Sequence, residues 1–315
     1  MPSDHYISRV YLKKFGTPEN RDLMYVILKK TMIKFKDSTR HQCASQNGST
    51  NFYLAKERIV EEFLKEIEPK YDIVLNKIKD GVIDSECIFV ISGLIAYIQT
   101  CSPTAMRLNS VPLKTTAEIY ALAMDASGQL PLPPRGIESF SELLKSRGLT
   151  INVDEKYSQA IGINMILDLI NNLGNSNWDI LFNPFKNIPF FTSDFPIAIE
   201  KVRGRIGINK IFPLSTELAV RINSHFPMPK KQSYDFTFAD FRFRTQELKK
   251  SEVCRINKLI VRCAESAVYF SDDHRWIPKF VGKNAAYHIE QTVTCFPSIE
   301  GGKVLLTYLE IVKTQ

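Results

Sequence analysis

The stretch Pro189-Phe190-Phe191-Thr192-Ser193-Asp194-Phe195-Pro196-Ile197-Ala198-Ile199-Glu200 sets three polar residues between two apolar runs. It reads as a buried strand reaching Phe191, a turn on Thr192, Ser193 and Asp194, and an exit through Ile197–Ile199. Asp and Ser favour such turns because their side chains bond nearby backbone N–H groups. A carboxylate held at a strand end also suits a site. Around it, from Trp178 onward, short runs rich in Ile, Val, Phe and Thr alternate with Pro, Gly and Asn. Strands are expected at 178–182, 188–192, 196–200, 206–212, 218–222, 267–271 and 303–312, with one helix at about 245–265.

Upstream the texture is helical. Helical spacing is seen over 5–15, from Asn51 through Glu68, after Pro69, over Cys87–Ile98, over Thr104–Leu108, from about Lys114 to Asp125, and from Asp154 to Gly174. Asp84, Ser139 and Asp154 are placed to cap helices. Residues 23–36 alternate in the manner of a hairpin, and 38–51 reads as a loop. The expected fold class is α+β: a mainly helical N-terminal half packed on a β-rich C-terminal half. The expectation is a single domain over 1–315, helical from about 38 to 175 and β-rich from about 176 to 315.

The apolar share of 44% is too high for a disordered chain. The formal charge of +7 makes anionic partners an expectation, although no run of five or six like charges occurs. None of the six cysteines forms a C-x-x-C pair, which reads as reduced thiols in a cytoplasmic protein. No signal-peptide core is seen at the N-terminus. The apolar stretch Cys87–Ile98 is shorter than the roughly 20 residues a membrane span needs, so no membrane partner is expected.

Known chemical motifs are few. Walker A, a strand-borne Gly-x-Gly-x-x-Gly, His-Glu-x-x-His and Gly-x-Ser-x-Gly are all missing. Asp272-Asp273-His274 reads as a solvated turn more than as metal ligands. No cofactor and no metal site are expected, and a divalent metal has no support in the sequence. The segments 201–210 and 227–250 interleave Arg203, Arg205, Lys210, Lys230, Lys231, Arg242 and Arg244 with Phe212, Tyr234, Phe236, Phe238, Phe241 and Phe243. Phosphate-binding cations beside stacking rings suit single-stranded nucleic acid. Strands with aromatics inward and cations in water account for the same alternation, and that reading is favoured.

Several stretches together resemble one family. The opening His5-Tyr6-Ile7-Ser8-Arg9-Val10-Tyr11-Leu12-Lys13-Lys14-Phe15, then Phe52-Tyr53, Trp178, Phe190-Phe191-Thr192-Ser193-Asp194-Phe195-Pro196, Phe212-Pro213-Leu214-Ser215 and the helix from Asn257 follow the order of the bacterial family called domain of unknown function 4238 (DUF4238), which they resemble. Phe195 stands where that family often has Asn. The resemblance implies a bacterial protein linked to defence against phage and draws attention to His5, Arg9, Ser193, Asp194 and Asn257.

If those residues converge, His5 or Asp194 is a general base, Arg9 an anion holder and Asn257 an orienter, a set suited to phosphodiester hydrolysis. The expected function is therefore a defence-linked enzyme acting on nucleic acid, RNA foremost, with catalytic His5, Arg9 and Asp194 and substrate-binding Ser193, Asn257, Arg203 and Arg205. Two alternatives stay open: a non-catalytic sensor or binding module in which the same residues form a satisfied structural network, and a hydrolase or transferase acting on a nucleotide-like anion.

Overall fold

The computed structural model describes residues 3–131, 135–137, 139–146, 149–202, 204, 207–223, 234–297 and 303–314. The fold is α+β. Its helices are concentrated between Ile59 and Gly174, while strands lie on both sides of them. The expectation of a mainly helical N-terminal half is corrected in part: the helices lie mostly within 59–174, and strands precede them. Strands already occur at Ser3–His5, Leu23–Leu28, Lys34–Ser38 and Ala44–Gln46. The Leu23–Leu28 and Lys34–Ser38 pair is the hairpin legible from alternation at 23–36.

Two larger sheets organise the chain. The first has five strands in the order Arg242–Glu247, Asn177–Phe182, Leu218–Asn223, Ile208–Pro213 and Ala198–Lys201. Only the Arg242–Glu247 edge strand runs parallel to its neighbour. The second has four antiparallel strands in the order Lys34–Ser38, Leu23–Leu28, Ala267–Phe270 and Thr192–Ser193. The 189–200 stretch therefore feeds both sheets. Thr192–Ser193 edges the smaller one, the chain turns through Asp194 to Ile197, and Ala198–Lys201 edges the larger. The helix Lys250–Cys263 makes the return crossing, from Arg242–Glu247 in the larger sheet to Ala267–Phe270 in the smaller.

Local chemistry explains several helix starts. Asp84 accepts from the Cys87 N–H, Ser102 from that of Ala105 with Pro103 at the first helical position, Ser139 from Glu142 and Asp154 from Lys156. The Ser85–Cys101 helix is buried on nearly all sides, which is why its apolar run has no clean stripe. No single helix among the described residues is long and apolar enough to cross a membrane.

Several expected boundaries move. The helix expected over 5–15 shrinks to Arg9–Leu12 and a 3-10 turn, because Ser3–His5 pairs with Ala44–Gln46. Pro103–Ala126 is one helix that takes Pro112 into its interior, where a break was expected. The helix expected over 154–174 divides at Met165 into Glu155–Asn164 and Ile166–Gly174. Of the strand expected over 188–192, only Thr192–Ser193 pairs. The strand Tyr287–Pro297 was not foreseen; it pairs with Lys303–Lys313 as a separate hairpin.

Gly174 closes its helix for a packing reason. A Cβ built there would lie 2.3 Å from the Phe238 ring and 2.9 Å from Ile88 Cγ2. Phe238 is buried and holds a left-handed backbone with φ of 51°, so its ring has little freedom to retreat. Gly174→Ala is expected to lower stability by about 1–3 kcal/mol through overpacking. The loss should shrink when Phe238→Leu makes room, as urea denaturation of the single and double variants would show.

Candidate functional site

The opening segment is anchored residue by residue. His5 Nε2 lies 2.9 Å from the Arg40 carbonyl, and the His5 carbonyl accepts from the Tyr97 hydroxyl at 2.7 Å. Burial lowers the imidazole pKa, against the opposing pull of the Arg40 carbonyl, and the Arg9 charge adds to the lowering. Arg9 donates from Nη2 to Asp22 Oδ1 at 3.4 Å, a carboxylate it shares with Lys13 at 3.0 Å. Tyr11, fully buried, meets Thr192 Oγ1 through its hydroxyl at 2.7 Å. That contact joins the opening segment to the 189–200 stretch.

The polar triplet is committed inward. Ser193 Oγ accepts from the Phe195 N–H at 3.2 Å. Asp194 gathers three consecutive backbone donors: Glu265 N–H at 3.0 Å on Oδ1, then Ser266 at 2.6 Å and Ala267 at 3.1 Å on Oδ2. These are the N–H groups of the turn that follows the crossing helix. Asn257, on that helix and fully buried, donates to the Pro189 carbonyl at 2.9 Å and accepts from the Phe191 N–H at 3.0 Å. The two crossings between the sheets are thus stitched at both ends, by Asn257 before the turn and by Asp194 after it.

Asp194 has a charged neighbourhood as well. Burial raises its pKa to about 6, against the three N–H donors and the nearby Lys29 ammonium. Lys29, almost wholly buried, donates to the carbonyls of Ala264 and Tyr287, the latter at 2.6 Å. Burial lowers its own pKa while Asp194 pulls the other way. Cys43 sits close by with φ of 56° and donates to the Tyr269 hydroxyl at 3.3 Å. Burial pushes this thiol far up, so it is no thiolate nucleophile.

Among the described residues, the hydrogen bonds of His5, Arg9 and Asp194 join none of the three to another. Asn257 and Asp194 do meet the same pair of crossings. Arg203 and Arg205, with Lys230 and Lys231, lie outside the described residues. Among the described residues no group of three or more His, Cys, Asp or Glu side chains could hold a metal ion. Asp272 accepts from Ser271, and Asp273 pairs with Lys34.

A second cluster was not singled out from the sequence. Across one face of the five-stranded sheet runs a chain of alternating charges: Arg244, Asp179, Arg221, Glu200 and Arg255. Arg244 donates to Asp179 from Nε at 2.7 Å, and Arg221 Nη1 reaches the other oxygen at 3.2 Å. Arg221 Nε lies 3.2 Å from Glu200 Oε2, and Arg255 pairs with the second Glu200 oxygen. Burial pushes the Asp179 carboxyl up, and its hydrogen bonds to Arg244 and Arg221 outweigh burial, leaving it below the ordinary value. A lone acid inside the apolar strand Trp178–Phe182 was the signal that could have found it.

The edge strand beside this chain is exposed on both faces. Arg242 and Arg244 point to one face, and Phe243, 43% exposed, to the other. Its ring stacks on Phe241 at 5.8 Å and 26°, and Phe241 meets Trp178 edge-on at 5.2 Å. A ladder of three rings therefore rises from the core and ends in solvent on the face opposite the two arginines. The expected strand with inward aromatics is corrected in part: Phe236 and Phe238 lie in a turn with left-handed backbones, not in a strand.

The family model described as "Protein of unknown function (DUF4238)" matches residues 4–274, so the chain belongs to that family. No curated protein and no solved structure matches it.

Proposed function

We propose that this chain is a nucleic-acid-binding protein that grips a single strand along the Arg242–Glu247 edge. The observation that carries the reading is an edge strand with no outer neighbour among the described residues, which exposes the Phe243 ring on one face and Arg242 and Arg244 on the other. On the arginine face Arg221, Arg244 and Arg255 meet two carboxylates, Asp179 and Glu200, while Arg242 donates to the carbonyls of Ala239 and Phe241. The excess is positive, as a phosphate backbone requires. A base stacked on a ring contributes about 1–3 kcal/mol with little dependence on sequence.

Fluorescence anisotropy with labelled oligo-U and oligo-dT tests this. Wild type is expected to bind with a steep salt dependence. The combined Arg242→Ala, Phe243→Ala, Arg244→Ala variant should bind at least about tenfold more weakly and flatten the log–log salt slope by about 1.4, for two lost phosphate contacts. Salt-independent binding, or none, by wild type would sink the proposal.

Phosphodiester hydrolysis through His5, Arg9 and Asp194 is the second reading. It is favoured by the Asp194 carboxyl, whose pKa near 6 suits proton transfer at neutral pH. The saturation of both its oxygens by backbone donors favours the binding module instead. Cleavage of a labelled RNA that His5→Ala abolishes, with melting unchanged, would carry the hydrolytic reading.

A further inference from the structure

At one end of the five-stranded sheet an open cleft of about 370 Å³ lies against Glu247, Phe182 and Leu218. These residues are register partners on adjacent strands, Glu247 to Phe182 and Phe182 to Leu218, so their side chains share one face. Along the edge strand Glu247 stands four residues beyond Phe243. The period of two puts both on that same face, about 13 Å apart. The cleft thus lies on the side of the edge that carries the exposed ring. Its volume falls within the range of about 300–1,000 Å³ typical of small-molecule pockets.

The polar groups around the cleft are few. Asn183 is spent on its own loop: its side chain donates to the Ile188 and Thr216 carbonyls and accepts from the Phe185 N–H. Lys79, the last residue of the Tyr71–Lys79 helix, pairs with Glu217 at 3.4 Å on the rim. The Glu247 carboxylate has no hydrogen bond or ion pair among the described residues. The cleft therefore offers one free carboxylate, which when ionised can only accept, together with an ammonium already beside an acid. Two carboxylates and one ammonium leave a negative excess, which turns a phosphate away. Phe182 and Leu218 supply an apolar wall for a flat ring. Among the common bases guanine presents two adjacent donors, N1–H and the 2-amino group, that match both oxygens of one carboxylate, with O6 beside them to accept from an ammonium. Adenine, cytosine and uracil offer no such pair of adjacent donors on that edge. We propose that this cleft reads an unstacked guanine of the strand held along Arg242–Glu247, with Glu247 accepting from N1–H and the 2-amino group and Lys79 donating to O6. The inference rests on the nucleic-acid reading above, and it supplies the base preference that stacking on Phe243 lacks.

Fluorescence anisotropy on the full chain tests the proposal with three labelled oligomers: oligo-U, the same oligomer carrying one guanosine, and the same carrying one inosine. In wild type the guanosine is expected to tighten binding about tenfold, the scale of one good bidentate base contact. Inosine keeps N1–H and O6 but lacks the 2-amino group, so it should lose most of that gain. This comparison needs no change in the protein and is independent of folding. Glu247→Gln puts an amide donor where one acceptor oxygen stood, and it should bring the guanosine-bearing oligomer back to the affinity of oligo-U. A guanosine that adds nothing in wild type overturns the proposal while the edge-strand reading stands. A gain that inosine keeps, or that Glu247→Gln retains, overturns it equally. A wild type that binds none of the three oligomers overturns the edge-strand reading itself, and this proposal with it.

Discussion

Asp194→Ala is expected to lower folding stability by about 3–5 kcal/mol at pH 7, the scale of removing one partner from a buried charged network. Three backbone N–H groups of the 265–267 turn lose their acceptor. A buried unsatisfied donor costs about 1–3 kcal/mol, and partial rearrangement keeps the total below the sum. Lys29 loses its neighbouring anion at the same time. Urea denaturation followed by circular dichroism measures the change. A loss under about 1 kcal/mol would mean that the turn holds itself and that the carboxylate is kept for something else.

The same carboxyl carries a pH signature with a definite sign. Its folded pKa of about 6 lies above the ordinary value of 3.8 because burial outweighs the donors around it. The folded protein therefore holds this proton more tightly than the unfolded chain does. The resulting stability is full below about pH 4 and is lost as pH rises through about 6. A separation of about two units corresponds to about 3 kcal/mol. The stability gap between wild type and Asp194→Ala should therefore widen by about that much from pH 7 to pH 4. Asp4, Asp84 and Asp179 have lowered pKa values and act in the opposite direction, but they are common to both proteins and cancel. A gap that narrows toward acid would show that the N–H donors and Lys29 hold the folded pKa below its ordinary value.

Asp194 also shows where a sequence stops being legible. The Thr192-Ser193-Asp194 turn, the strands around Ile180, Val220 and Val268, and the caps at Asp84 and Asp154 follow from alternation and local hydrogen bonding, both visible in residue order. The partners of the triplet are not visible. Thr192 bonds Tyr11 and Asp194 bonds the 265–267 turn, contacts that span 181 and up to 73 positions. A carboxylate saturated by backbone donors and one aimed at a substrate are written with the same letter, so residue order does not separate the site reading from the network reading. The edge strand Arg242–Glu247 was legible only in part. The alternation of Phe241 and Phe243 with Arg242 and Arg244 reads as a strand, but its exposure on both faces and its parallel pairing with Asn177–Phe182 are not visible in residue order. Met165 hides the break in its helix because both halves keep helical spacing while their buried sides differ.

Asp179→Ala is expected to cost about 3–5 kcal/mol as well, while Arg244→Ala should cost no more than about 1 kcal/mol. The asymmetry follows from burial. Asp179 and Arg221 are both almost fully buried, so removing the acid leaves a cation in the sheet with only Glu200 beside it. Arg244 has most of its side chain in solvent, where water replaces the lost contact. If the edge strand holds nucleic acid, the ranking reverses for binding. Arg244→Ala should weaken the grip on oligo-U with melting unchanged. Asp179→Asn keeps the side chain's shape and one acceptor oxygen while removing a negative charge, so it should tighten binding and steepen the salt dependence. Parallel melting and anisotropy curves separate the two roles. A charge chain that serves the fold alone moves melting and leaves anisotropy flat, whereas one that also balances a phosphate-binding face moves the two in opposite directions.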